Sequence, residues 1–229
     1  MRSKGNCNNN GNYESKLMNY TQNGVIQKII ATKLVELIPQ KPCDVLSILD
    51  IGCGTGFIAQ KLIEKGFSLI KILQIDANYD SLKIAQQFAK TEVFDFNSPL
   101  KFPQKFDIIT SSMSLQWAKD LPRTIEHIKL LLNKNGIFIA SIPLDGSLSE
   151  IYNALEISPF QFPKIDDISK QLTLIQNKKF QENSFILLKN LHNCNLKLTA
   201  QSTRINHRKI ALLKTQFTQW NIGFFIGRH

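Results

Sequence analysis

The run Ile48-Leu49-Asp50-Ile51-Gly52-Cys53-Gly54-Thr55-Gly56-Phe57 decides the fold. An apolar strand of the buried type leads straight into three alternate glycines and then into a helical pattern with Phe57, Ile58, Leu62 and Ile63 on one face, ending near Gly66. Glycines at 52, 54 and 56 let the chain turn sharply and let a ligand approach the backbone without meeting a Cβ, while the helix that follows presents free N–H groups. Asp50 adds a carboxylate at the strand end.

Outward from this turn the chain keeps a strand and helix rhythm. Between Tyr20 and Pro39 the residues Ile26, Ile29, Ile30, Leu34, Leu37 and Ile38 recur at helical spacing, so a helix precedes the first strand. Downstream, Leu69 to Ile75 reads as a strand ending at Asp76, Ser81 to Phe88 as a helix and Glu92 to Phe94 as a short strand. Phe106 to Thr110 makes a fourth strand, Leu121 to Leu132 a helix opening on Leu-Pro, and Ile137 to Ile142 a fifth strand after the turn Asn135-Gly136. This alternation predicts an α/β fold with a doubly wound, mostly parallel sheet, Rossmann-like, covered on both faces. From Ser158 onward the pattern loosens. Ile165 to Leu172 reads as helical, Leu196 to Leu198 as a strand, and Ile210, Leu213, Phe217 and Trp220 as a last amphipathic helix.

With 229 residues the chain suits one domain, here taken as residues 20–229, of which 20–157 form a ligand-binding core and 158–229 a basic C-terminal part. Residues 1–19 read as a disordered tail with no secretory signal, and no apolar run approaches the roughly 20 residues of a membrane helix. Cys7, Cys43, Cys53 and Cys194 are scattered without C-x-x-C spacing or a His cluster, which argues against zinc and disulfides and for a reducing cytoplasm. The formal charge of +10 is uneven: residues 161–229 hold 11 Lys/Arg against 3 Asp/Glu and so carry +8 of it. Such a surface can steer an acidic partner.

The turn's chemistry narrows the ligand. A pyrophosphate-binding turn has the spacing G-x-G-x-x-G, whereas this one is G-x-G-x-G preceded by an acid, and a phosphate beside Asp50 would meet like charge where water is scarce. A cationic ligand would not. From Tyr20 to Leu155 the pattern resembles the class I S-adenosylmethionine-dependent methyltransferases. That resemblance implies S-adenosylmethionine as cofactor, with Gly52, Gly54 and Gly56 against its methionine part and Asp50 beside the turn. It further implies Asp76 holding both ribose hydroxyls, Asp95 receiving the adenine amine, and Phe96 and Ser112 beside them. A carboxylate suits each role, since it accepts two hydroxyl hydrogens or an amine hydrogen in charge-assisted bonds.

A narrower resemblance follows the fourth strand, in Ser111-Ser112-Met113-Ser114-Leu115-Gln116-Trp117-Ala118-Lys119-Asp120-Leu121-Pro122, and again in Gly146-Ser147-Leu148-Ser149-Glu150-Ile151. With Tyr20, Gln27 and Leu34 at seven-residue spacing and Phe162-Pro163-Lys164-Ile165, these segments are similar to the malonyl-acyl-carrier-protein O-methyltransferases of biotin synthesis (BioC type). The resemblance implies methylation of a malonyl carboxylate on an acidic acyl carrier protein, with Tyr20 and Trp117 as walls of the transfer site. Lys197, Arg204, Arg208, Lys209 and Lys214 would then steer the carrier. That family continues into a final antiparallel strand, and here only Ile222 to Ile226 are left after the last helix, so two outcomes stay open: those residues improvise a shortened strand, or the last strand is missing and the sheet keeps an exposed edge. Two other readings stay open: methylation of another small acid, and the methyltransferase-like assembly factor of respiratory complex I, which shares a Leu-x-Trp before Asp-Leu-Pro. Nucleic acid is not an expected partner, because Ser111-Ser112-Met113 stands where flipped-base enzymes carry an Asn/Asp-Pro-Pro-Tyr motif.

Overall fold

Five parallel strands explain the alternation, and the sheet is completed by one strand running against them and an edge strand beyond it. The structure, a computed structural model, describes residues 24–39, 47–193 and 213–229, with the backbone alone for 189–193. Helix α1 (Val25–Glu36) precedes β1 (Ile48–Ile51), α2 (Phe57–Glu64), β2 (Ile72–Asp76), α3 (Tyr79–Ala85) and β3 (Lys90–Val93). There follow β4 (Phe106–Ser112), α4 (Leu121–Leu130), β5 (Leu132–Pro143), α5 (Ser149–Leu155), α6 (Ile165–Ser169), β6 (Thr173–Asn183), α7 (Ser184–Asn193) and β7 (Phe217–Arg228). The strands lie in the order β3-β2-β1-β4-β5-β7-β6, with β7 antiparallel to both of its neighbours.

Side chains of β1 alternate between two apolar layers. Ile48 joins the cluster built with Ile30 and Leu34 of α1 and Ile58 and Leu62 of α2, whereas Leu49 and Ile51 join the cluster of Ile125 and Ile128 of α4. All four β1 residues are buried, as a central parallel strand requires. By the same alternation Asp50 faces the α1 and α2 side, beneath the glycine turn. Strand order reverses between β1 and β4, and in an open α/β sheet ligands lodge at such a switch point, outside the carboxyl ends of the strands.

The C-terminal part departs from expectation. Leu213 lies in a short 3-10 turn (Leu213–Thr215), and Phe217 and Trp220 belong to β7, not to a helix. Spacings of four and three residues fit a helix face, yet Thr218, Trp220, Ile222 and Phe224 are buried with a period of two, and the strand's two neighbours satisfy its backbone. Nor is the last strand missing or shortened: β7 runs for 12 residues between β5 and β6. Asn135-Gly136 forms a bulge within β5, where the pairing jumps from Phe106–Leu132 to Ile108–Ile137. The expected strand at Leu196 to Leu198 and the tail 1–19 lie outside the described residues. Among the described residues no helix is long and apolar enough to cross a membrane, and no cluster of His, Cys, Asp and Glu is grouped to hold a metal.

Candidate functional site

A cleft of roughly 330 Å³ opens at the carboxyl ends of β1, β2 and β4, between the glycine turn, Asp76 to Asn78, Asp95 to Asn97 and Ser112 to Trp117. The turn is held from below, since the N–H groups of Gly52 and Cys53 both donate to the Ile75 carbonyl, at 2.8 and 3.0 Å. All three glycines have positive φ, but they do different work. A Cβ at Gly52 would collide with Ser114, and one at Gly56 would meet Gln74, Phe88 and the backbone of Ala85 at 2.8 to 3.1 Å. At Gly54 it would meet nothing within 4 Å. Gly52 and Gly56 are thus packing glycines, while Gly54 presents bare backbone to the cleft.

Carboxylates shape the cleft's electrostatics. Asp76 accepts from the Gly54 N–H at 2.9 Å through one oxygen and from the Asn78 N–H at 2.8 Å through the other, which ties the turn to the end of β2. Helix α3 is capped by Asn78, whose side-chain oxygen accepts from Asp80 and Ser81, so Asp76 is not spent on the cap. Asp95 is exposed at the rim and accepts from the backbone and side chain of Asn97. Asp50 does not line the cleft. It is wholly buried below it, with one oxygen accepting from Thr110 Oγ1 at 2.8 Å and the other without a partner. Burial pushes its pKa up to about 7 against the pull of that hydrogen bond, and nearby Asp76 adds to the rise. The buried Cys53 thiol is pushed far up by the same desolvation and both acids, so it stays protonated and unreactive.

The far end of the cleft is built by the turn after β4. Ser114 Oγ donates to the Ile51 carbonyl at 3.1 Å and pairs with Ser111 Oγ at 2.6 Å, locking the end of β4 onto β1. Ser112, paired with Ser141 Oγ at 3.0 Å, lines the cleft with Met113, which adopts a left-handed φ of 52°. Trp117 ends a 3-10 turn, lines the mouth and keeps 41% of its surface exposed. Phe96 lines the cleft too, so Gly52, Gly54, Asp76, Asp95, Phe96, Ser112 and Trp117 of the sequence candidates meet in one place. Gly56 and Asp50 support it from outside the lining, and Tyr20 lies outside the described residues. Two further residues belong to the site. Gln27 of α1 reaches it with a buried oxygen that has no partner, signalled in the sequence as a polar residue between Ile26 and Ile30. Asn97 bridges Asp95 to the Lys119 N–H, a link between distant segments that spacing does not reveal.

Comparison with known proteins agrees with this geometry. A family model described as a methyltransferase domain matches residues 23–202. The chain is similar to the mitochondrial arginine-hydroxylase NDUFAF5 of Rattus norvegicus, 31% identical over 136 residues that cover 58% of this chain and 39% of that protein. It is also similar to a malonyl-[acyl-carrier protein] O-methyltransferase of Calditerrivibrio nitroreducens, 31% identical over 134 residues that cover 58% of this chain and 53% of that protein. The chain spans about half the length of these curated relatives, or less. Among solved structures the YcgJ protein of Bacillus subtilis shares the fold with a TM-score of 0.59 at 17% identity, over 87% of this chain and 98% of that one. A glycine turn at the switch point of this sheet, with a family match across most of the residues, leads to one conclusion: the chain belongs to the methyltransferase domain family.

Proposed function

We propose that this protein is an S-adenosylmethionine-dependent O-methyltransferase that esterifies the free carboxylate of a malonyl group carried on an acyl carrier protein. S-adenosylmethionine is its cofactor, and the residues present fit it. Gly54 leaves room for a ligand against the backbone, the unpartnered oxygen of Gln27 can accept from an ammonium, and three carboxylates make the surroundings favourable to a cation. Asp76 takes the ribose hydroxyls, Asp95 the adenine amine, Phe96 and Ser112 flank the nucleoside, and Asp50 balances positive charge from beneath the turn. When bound, the cofactor supplies a methyl group activated on a positive sulfur.

The observation that carries the acceptor reading is the make-up of the lining. Its titratable side chains among the described residues are Asp76, Asp95 and Cys53: two acids engaged with loop donors and a thiol held protonated. An acceptor that arrives already ionised suits such a cleft, and a malonyl carboxylate, with an ordinary pKa near 4, does. The protein then has to orient and desolvate, and orientation alone can supply about 7 to 11 kcal/mol of a barrier. Trp117, with Tyr20, forms the wall against which the acceptor lies. The direct test is incubation with labelled S-adenosylmethionine and malonyl-acyl carrier protein. A base-labile methyl ester on the carrier is expected; cofactor binding with no label transferred sinks the proposal. The likeness to NDUFAF5 at the same identity keeps a second outcome in view, a target protein whose arginine gains oxygen, which intact-mass analysis separates from a methyl ester.

A further inference from the structure

We infer that Phe160 is a positioning residue that holds the Trp117 indole at the acceptor end of the cleft. The inference rests on the reading of that end as the acceptor's. Phe160 does not line the cleft; it stands behind it. Its ring packs edge-on to Trp117, with centroids 5.0 Å apart and planes at 62°. Behind it comes Phe162 at 4.8 Å and 60°, then Trp220 of β7 at 6.4 Å and 72°. Trp220 is buried and donates through Nε1 to Glu182 Oε2 of β6 at 2.9 Å, a carboxylate that is itself buried. The row therefore starts at an exposed wall of the cleft and ends on a hydrogen bond inside the sheet.

The loop carrying this row is also tied from the side. The Phe160 backbone hydrogen-bonds the Tyr152 hydroxyl of α5, and the Asp145 N–H donates to the Pro163 carbonyl at 3.0 Å. Trp117, by contrast, is fixed through its backbone, whose N–H donates to the Ser114 carbonyl at 3.1 Å, while the residue as a whole stays 41% exposed. Rotation about its side-chain torsions is limited by the ring that meets it, and that ring is Phe160. Edge-on aromatic pairs are favourable beyond the area they bury, so Phe160 gives the indole one preferred pose. A wall in one pose lowers the ordering that an acceptor must undergo on binding.

The full chain tests this with F160A, F160L, W117F and the W117F/F160A pair, melting curves confirming that each folds. The Trp117 share of the fluorescence is isolated by subtracting the matching W117F spectrum. Its acrylamide quenching is expected to rise in F160A and by less in F160L, and an unchanged value overturns the inference. For F160A, calorimetry with S-adenosylmethionine alone is expected to give a Kd within about twofold of wild type. With malonyl-acyl carrier protein, KM should rise about three- to tenfold in F160A, the size of a lost aromatic pair. W117F/F160A should be no worse than W117F, because Phe160 acts through Trp117; additive losses overturn the positioning role. A wild-type protein that methylates no malonyl carrier defeats the substrate reading instead, and the quenching comparison still decides whether Phe160 holds the indole.

Discussion

Asp50 is a carboxyl group buried on the strand side of a turn meant for a cation, with half its hydrogen-bonding capacity unused. Burial raises it from 3.8 to about 7, so the folded chain keeps a proton that the unfolded chain loses. The sign is fixed by that order: between about pH 4 and 7 the folded state binds more protons, stability falls as pH rises through this window, and it levels off above it. The limiting cost is roughly 4 kcal/mol, since each tenfold change in proton affinity is worth about 1.4 kcal/mol. D50N should therefore melt higher than wild type at pH 8 and by a smaller margin at pH 5, and an equal margin at both would show that Asp50 is not the titrating group. A bound cation favours the ionised carboxylate, so wild type should release a proton on taking up S-adenosylmethionine near pH 7 and D50N should not. Calorimetry in buffers of different ionisation heat reads this directly. The glycines separate by the same local reasoning. G52A drives a methyl into Ser114 at positive φ and should cost about 2 to 4 kcal/mol in urea titrations, as overpacking and backbone strain combine. G54A meets only open cleft, so it should cost about 1 to 2 kcal/mol while weakening cofactor affinity at least tenfold.

At the level of elements, the sequence is plain where one periodicity rules and misleading where two compete. Ile48 to Phe57 is legible because a strand apolar but for Asp50 and a helix with an apolar face are joined by residues that only a tight turn needs. Asp76, Asp95 and Trp117 are legible as site residues because each stands at the end of a strand or just past one. Strand β6 is hard to read: its alternation sets half-buried residues such as Leu174 and Phe180 among Gln, Asn and Lys, as suits an edge strand with one wet face. Strand β7 hides because Leu213, Phe217 and Trp220 imitate a helix face, and only the pairing with β5 and β6 breaks the tie. Asn97 reaches the cleft, and Phe160 the back of its Trp117 wall, through tertiary contacts that no spacing encodes. The placement of β7 has a measurable consequence. Phe224 is fully buried in the layer of α1 and α2, while Phe225 is fully buried in the layer of α4, on opposite faces of the sheet. F224A and F225A should each cost about 3 to 5 kcal/mol in equilibrium unfolding, since each empties a fully buried ring's place in a different layer. Near-neutral substitutions would instead describe a sheet that ends at β5.

Across the whole molecule, charge is unevenly spread along the chain. Of a formal charge of +10, residues 161–229 supply +8, and that stretch also contributes β7, which pairs with β5, and the edge strand β6, which together anchor the aromatic row behind Trp117. Lys214 belongs to its exposed surface, while Lys197, Arg204, Arg208 and Lys209 lie outside the described residues. On the proposed function the labour is divided: the cleft, which carries carboxylates, takes the cationic cofactor, and the basic stretch would draw in the acidic carrier. Coulomb steering acts on encounter, so it should show in kcat/KM and leave kcat at saturation alone. The screening length falls from about 10 Å at 0.1 M salt to about 3 Å at 1 M, which should lower kcat/KM for malonyl-acyl carrier protein by about tenfold or more. A small malonyl thioester with no carrier has no acidic surface to be drawn by, so its kcat/KM should change little over the same range. Reversing Arg204, Arg208 and Lys209 to Glu should flatten the carrier's salt dependence toward that of the small thioester. Equal salt dependence for the two substrates, or a triple variant that leaves the carrier's slope untouched, would show that the basic stretch serves something other than the carrier.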